Sequence, residues 1–131
     1  MNKLKGILLT QGMHGMISQV EGLAKALDID FTHHTVELNN FWKMIPPKFT
    51  PISQIVYKKV NQSDFDMIIS CGRKSVIPSI HLKNSLKKKV ISIHIQDPKV
   101  NFNNFDFIVA PEHDSIKGQN VINTKGAIHY L

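Results

Sequence analysis

The sequence has few residues of several kinds, and each scarcity excludes a class of protein. One cysteine, Cys71, cannot form an intramolecular disulfide, which fits a reducing compartment. No run of roughly eighteen apolar residues occurs, so we expect no membrane-spanning helix. The start, Met1 to Lys5, lacks the apolar run and cleavage site of a signal peptide. We therefore expect a cytoplasmic protein with at most peripheral contact at the inner face of a membrane.

The short motifs of several binding sites are also missing. Neither the G-x-G-x-x-G dinucleotide fingerprint nor a Walker phosphate loop is present. No Cys-x-x-Cys or His-x-x-His pair is available to hold zinc. We therefore expect no metal site and no cofactor.

Acidic residues are outnumbered, with ten Asp and Glu against sixteen Lys and Arg. The three consecutive lysines 87–89 are the one basic cluster, and we interpret them as a solvated helix end that complements the helix dipole. Loose attraction to anionic lipid head groups stays open as an alternative. No interleaved aromatic residues accompany them, so no specific nucleic-acid binding is expected.

The stretch from Leu4 to Leu27 predicts how the fold begins. An apolar run to Thr10 is followed by a turn with Gly12 and Gly15 and then by a helical stripe of apolar residues. Strand, glycine turn and helix are how a parallel α/β sheet starts. The helix N-terminus favours phosphate or carboxylate, and glycine permits close approach. Two glycines that merely ease a tight turn are the equally weighted alternative.

The rest of the chain repeats the alternation of strands and helices. We predict an α/β, Rossmann-like domain over residues 1–131, with one parallel sheet and helices on both faces. The connection from Asn39 to Pro51 is rich in proline and apolar residues. Further predicted strands are Ile29–Leu38, Asp64–Ser70, Val90–Ile95, Phe105–Ala110 and Asn120–Asn123, and further predicted helices are Ile52 to about Asn61 and Val76–Leu86.

Four strands end in polar turns that contain glycine or proline. In a parallel sheet these turns converge on one edge, where such sheets bind ligands. The turns are Thr10-Gln-Gly, Cys71-Gly-Arg, Gln96-Asp-Pro and Pro111-Glu-His-Asp.

These turns supply the candidate ligand-binding residues. Arg73 is the only arginine, and its guanidinium offers a bidentate fork for an anion; bracing of the loops through backbone carbonyls or Asp97 is the alternative. His14 is either a donor to the ligand or a solvent-facing turn residue. The full predicted ligand-binding set is Gly12, His14, Gly15, Arg73, Ser75, Gln96 and Asp97.

Catalytic residues are sought in the same turns. His113 beside Glu112 suits general acid–base chemistry, whereas Asp114 is better explained as a helix N-cap. Cys71 precedes a helix N-terminus, so a nucleophilic thiol and a small residue at the core edge are both open. His33 and His34 point to opposite sides of a strand and are interpreted as ordinary strand residues.

The ordered set of turns resembles a known family. The blocks that carry the resemblance are Thr10-x-Gly-x-x-Gly15-x-x-x-Gln19-x-x-Gly-Leu-Ala24, Cys71-Gly-Arg-Lys-Ser75, Ile95-Gln-Asp-Pro98, Phe105-Asp106, Pro111-Glu-His-Asp114 and Gly126-Ala-x-His129. Together they resemble bacterial members of the mitochondrial fission "elongated mitochondria" family, some of which are labelled nucleoside-diphosphate-sugar epimerases. Gln11 is a departure, because many relatives have an acidic residue there.

The resemblance implies a GT-B-like architecture of two Rossmann-like domains facing across a cleft, of which this chain is the first. In such glycosyltransferases the second domain supplies most of the nucleotide-sugar site and the first binds acceptor. The chain would then be the acceptor-side domain, inactive alone and completed in cis by a C-terminal domain. Its ligand would be a nucleotide sugar or a phosphorylated acceptor.

A non-enzymatic role is the alternative. In plant relatives the family recruits a dynamin-related protein to mitochondria, which is a binding function. The corresponding hypothesis here is a protein-interaction module with Trp42, Ile45, Pro46 and Pro47 as its partner surface.

Overall fold

The first strand is an interior strand of the sheet, and it carries an unbroken apolar run. A computed structural model describes residues 4–60, 64–86, 88–111 and 118–124. In it β1 spans Lys5–Thr10, and every residue of the strand after Lys5 is buried. Burial on both faces is expected of a parallel strand covered by helices on either side, and it explains the absence of polar alternation.

Six strands form one parallel sheet in the order β2-β1-β3-β4-β5-β6. The strands after β1 are β2 (Asp30–Thr35), β3 (Met67–Cys71), β4 (Ile91–Ile95), β5 (Phe107–Pro111) and β6 (Val121–Thr124), and the helices are α1 (His14–Ala26) and α2 (Val76–Ser85). The predicted α/β class and parallel sheet are confirmed.

The helices cover opposite faces of the sheet. Leu8 belongs to a core cluster that includes Val20 and Ala24 of α1. Its neighbour Ile7 belongs to a second cluster that includes Ile77 and Ile80 of α2. Because successive strand residues point to opposite faces, the two clusters are the two sides of the sheet. The prediction of helices on both faces is therefore confirmed.

The sheet order reverses between β1 and β3. After β1 the chain adds β2 on one side, and it then returns to add β3 on the other. In open α/β sheets this reversal opens a crevice at the carboxyl ends of the two strands, because the loops that follow them leave in opposite directions. The turns carrying Gly12 and Gly72 directly follow β1 and β3, so they lie at the position of that crevice.

The predicted helix from Ile52 is wrong. Only the short 3₁₀ turn Gln54–Val56 forms there, and Tyr57 is extended and makes an antiparallel bridge to Leu38. Asn39 strengthens this closure, because its backbone N–H donates to the carbonyl of Val56 at 2.8 Å. Pairing between the two ends of the connection thus overrides a locally helical pattern.

The connection between β2 and β3 is a sequence of short turns. Two further 3₁₀ turns, Asn40–Met44 and Pro47–Phe49, precede Gln54–Val56. Trp42 packs against the core cluster on the α2 side of the sheet. Within the described part of the chain, no helix has the length and apolar character needed to cross a bilayer.

Candidate functional site

The turns after β1 and β3 are joined to each other. The side-chain oxygen of Gln11 accepts a hydrogen bond from the backbone N–H of Lys74 at 3.2 Å. Gly72 has φ of +98°, and a Cβ there would lie 2.5 Å from Gln11 Oε1 and 2.9 Å from the sulfur of Met16. The positive φ favours glycine, and the missing side chain leaves room for Gln11 and Met16, so the two turns form one surface at the crevice.

The turn after β1 is held in place by the buried hydroxyl group of Thr10. Thr10 is completely buried, and its Oγ1 accepts from the backbone N–H of Gly12 at 3.1 Å. The same oxygen lies 2.7 Å from Nε2 of His33 on β2. Burial is the main cause of the lowered pKa of His33, so the ring is neutral near pH 7. Gly12, with φ of +89°, is thereby fixed at the edge of the crevice.

The N-terminus of α1 is open to solvent. Met13 at the N-cap makes no capping hydrogen bond with its side chain, and the first turn holds no acidic residue. His14 and Gly15 are exposed, and a Cβ on Gly15 would meet no atom within 4 Å. The free N–H groups of the first turn and the positive end of the helix dipole therefore face open space, which is the arrangement that binds anions.

Arg73 and Ser75 differ in exposure although they share a turn. Arg73 is exposed, and its Nη2 donates to the carbonyl oxygen of Lys43 at 3.1 Å. Ser75 is completely buried and donates through Oγ to the carbonyl of Gly72 at 2.8 Å. Arg73 braces the β2–β3 connection while staying accessible, whereas the Ser75 hydroxyl closes its own turn. Anion binding by Arg73 and ligand binding by Ser75 stay predictions.

The turn after β4 lies one strand further along the same edge. Gln96 has φ of +87° and donates its backbone N–H to the carbonyl of Val109 at 2.7 Å. The Asp97 carboxylate accepts from the Lys99 backbone N–H at 2.9 Å and pairs with its ammonium group at 3.1 Å. Asp97 therefore orders its own turn, and a direct ligand contact by Gln96 or Asp97 stays a prediction.

The predicted acid–base pair lies outside the described residues. Glu112 and His113 follow Pro111, the last residue of β5, and Asp114 comes next. The carboxyl end of β5 is at the same edge as the ends of β1, β3 and β4, because all of these strands are parallel. The catalytic roles of Glu112 and His113 stay predictions.

The buried polar groups near the crevice are structural. Burial raises the pKa of the Cys71 thiol to about 12, so the thiolate needed of a nucleophile does not form near neutral pH. Cys71 is fully buried, more deeply than the core-edge position expected. His94 lies with Nδ1 2.8 Å from the Ser70 hydroxyl, and burial lowers its pKa to about 3. Neutral His94 thus ties β4 to β3.

Sequence reasoning missed Thr10, Gln11 and His33 as supports of the crevice. The signal for Thr10 was present, since a threonine at the end of a buried strand needs a partner for its hydroxyl.

In the part of the chain that the structure describes, no three His, Cys, Asp or Glu side chains are grouped to hold a metal ion.

Comparison with protein families supports the resemblance of the turns. A family model described as mitochondrial fission ELM1 matches residues 14–131. The chain belongs to the mitochondrial fission ELM1 family. The match extends from the first residue of α1 to Leu131, so it includes the turns after β3, β4 and β5. No curated protein and no solved structure matches this member of the ELM1 family.

Proposed function

We propose that the crevice between the carboxyl ends of β1 and β3 binds a phosphate-bearing ligand. The ligand is a nucleotide sugar or a phosphorylated acceptor, and the chain serves as the acceptor-side domain of a glycosyltransferase-like member of the ELM1 family. The observation that carries the proposal is the open N-terminus of α1, which lies beside two turns whose geometry requires glycine.

An anion at this position gains three kinds of interaction. The first-turn N–H groups of α1 donate to phosphate oxygens, and the missing side chain of Gly15 lets these oxygens approach the backbone. His14, exposed on the same turn, adds a donor. Arg73 adds charge by exchanging the Lys43 carbonyl for the ligand, since a charge-assisted bond to phosphate is stronger than one to a neutral carbonyl.

Catalysis requires more than this crevice. In the proposal a C-terminal domain in cis completes the cleft, and His113 with Glu112 provides acid–base chemistry at the carboxyl end of β5. The chain alone then binds ligand with little or no turnover. Binding, rather than activity, is therefore the property to measure.

Isothermal titration with UDP-sugars and sugar phosphates tests the proposal on the wild type and on Gly15→Ala. The added methyl group enters space that the ligand is proposed to occupy, and loss of one charge-assisted hydrogen bond weakens binding by about tenfold or more. The fold is not harmed, because nothing lies within 4 Å of the new carbon. Alanine in place of glycine in a helix stabilises it by roughly 0.5–1 kcal/mol.

The matched control is Ser18→Ala, an exposed position in the middle of α1. It raises helix propensity in the same helix but leaves the N-terminus untouched, so ligand affinity should not change. Equal affinity of wild type and Gly15→Ala, or no binding of any of these ligands to the wild type, contradicts the proposal.

The alternative of a protein-interaction module predicts the opposite: no phosphate ligand binds, and Arg73→Ala leaves binding of the protein partner unchanged. Its predicted surface is only partly available. Pro47 is buried and Trp42 packs on the core, whereas Pro46 is exposed. The apolar side chains that the connection does expose are different ones, and they carry a separate inference.

A further inference from the structure

The connection between β2 and β3 presents an unusual amount of apolar surface. Half of the ten large apolar side chains exposed within the described ranges lie in its residues 41–55. The exposed fractions are Phe41 68%, Met44 82%, Phe49 69%, Ile52 44% and Ile55 63%. Exposed apolar groups scattered singly need no explanation, but five in one loop mark an interaction surface.

This surface is presented by an anchored loop. The connection also contains residues that point inward, and they are buried or packed on the core: Leu38, Trp42, Val56 and Tyr57. Its two ends are tied by the Leu38–Tyr57 bridge, and its middle is held by the hydrogen bond from Arg73 to the Lys43 carbonyl. The outward set is therefore held at the surface while a separate set fills the core.

The charge around these side chains selects the partner. Residues 38–63 contain four lysines and no acidic residue, and one of these lysines, Lys58, is paired with Glu37 at 2.9 Å. Lys43 and Lys48 alternate with the exposed apolar residues, and the Lys48 ammonium lies 5.1 Å from the centre of the Phe49 ring. Aromatic and aliphatic tips combined with lysine are what inserts into the head-group region of an anionic bilayer.

We infer that the outward face of residues 41–55, the docking loop, binds the surface of an anionic lipid bilayer. A second copy of the chain is a poorer occupant, because two basic surfaces repel each other. The inference goes beyond the proposed ligand site and does not require it. It places the crevice beside the membrane, because Arg73 of the β3 turn contacts the loop directly.

Vesicle sedimentation tests the inference. The protein is mixed with vesicles of phosphatidylcholine alone or of phosphatidylcholine with phosphatidylglycerol. We expect binding to the anionic vesicles, weaker binding to the neutral ones, and loss of affinity as salt is raised. Trp42, the only tryptophan, packs inward, but its ring centre lies 4.7 Å from that of the exposed Phe41, so brominated lipid at the docking loop should quench its fluorescence.

The apolar contribution is isolated with the triple variant Phe41→Ser, Met44→Ser, Phe49→Ser, which should lose binding by about tenfold or more. A matched control removes three exposed apolar side chains elsewhere and should bind as the wild type does. The control variant is Leu4→Ser, Leu27→Ser, Ile122→Ser.

The charge contribution is isolated with Lys43→Gln and Lys48→Gln, each of which should weaken binding to anionic vesicles by about fivefold. Circular dichroism confirms that every variant is folded. The inference is overturned by absence of binding to anionic vesicles, by equal loss in the two apolar triple variants, or by Trp42 fluorescence that brominated lipid leaves unchanged. A loop that captures a protein while ignoring vesicles overturns it as well.

Discussion

Replacing Gly72 with alanine tests whether the two turns of the crevice form one unit. Gly72 has φ of +98° and ψ of 154°, a backbone conformation that residues other than glycine rarely adopt. Its missing Cβ is also where Gln11 and Met16 approach. The substitution therefore strains the backbone and displaces the ends of the Gln11 and Met16 side chains.

The expected cost has two parts. Adopting the glycine conformation with a side chain costs about 1–3 kcal/mol. Relief of the 2.5 Å contact moves the Gln11 side chain, whose oxygen then loses the hydrogen bond from Lys74. That hydrogen bond contributes roughly 1 kcal/mol. The sum is about 2–4 kcal/mol, which for a domain of this size lowers the melting temperature by roughly 10 °C.

Urea unfolding followed by circular dichroism measures the loss. Gly15→Ala is the matched control, because it adds the same methyl group at a glycine with open space around it and should not destabilise. In a Gln11→Ala background, Gly72→Ala should still lower the free energy of unfolding by most of the same amount. Only the contact with the Gln11 side-chain oxygen is then missing, and the backbone strain at residue 72 stays. A loss below about 0.5 kcal/mol, or no difference from Gly15→Ala, refutes the reasoning.

Two further predictions concern buried groups. The pKa of His94 is about 3 in the folded protein and 6.5 for a histidine in the unfolded chain, so the unfolded chain takes up the proton first as pH falls. Stability should therefore decrease from pH 6.5 downward, by about 2 kcal/mol at pH 5. Urea unfolding at pH 7 and pH 5 measures this, and a Ser70→Ala, His94→Phe variant should lose most of the dependence; an unchanged dependence argues against His94 as its source. Cys71 should react with Ellman's reagent only after unfolding, because its thiol is buried and its pKa is raised to about 12; rapid reaction of the native protein contradicts this.

The sheet was predictable because its strands are distinctive in sequence. The residues of β1 form one apolar run bounded by a lysine and a glycine turn, and β3 repeats the pattern before Gly72. A strand buried on both faces is a continuous apolar run, which can be recognised from the local sequence without knowing which residues it contacts. The alternation of such runs with glycine turns then gave the fold class.

The region after Pro51 was not predictable in the same way. The spacing of Ile52, Ile55 and Val56 matches one helical face, yet Ile55 is exposed and Val56 is buried. The deciding contacts join Tyr57 to Leu38 and Asn39 to Val56 across the whole connection. Contacts between distant residues leave no periodic signal, so the local pattern indicated the wrong structure.

The candidate site shows the same division. The glycines of the site could be recognised in the sequence because they follow predicted strands. The side chains that hold the glycine turns in place could not. The contact between Thr10 and His33 depends on the pairing of β1 with β2, in which Leu8 is opposite His33. The contact between Gln11 and Lys74 depends on β3 being the other neighbour of β1. Strand order and register are tertiary properties, so these supports became visible only in the structure.

The most direct test of the proposed ligand site is a map of backbone amide shifts by nuclear magnetic resonance during titration with a UDP-sugar. We predict that the amides of residues 12–16 and 72–75 shift together as the ligand saturates the crevice. Amides at the C-terminus of α2, residues 83–85, should stay unchanged because they lie at the opposite end of that helix. Shifts confined to residues away from both glycine turns, or no saturable shift at all, would contradict the account.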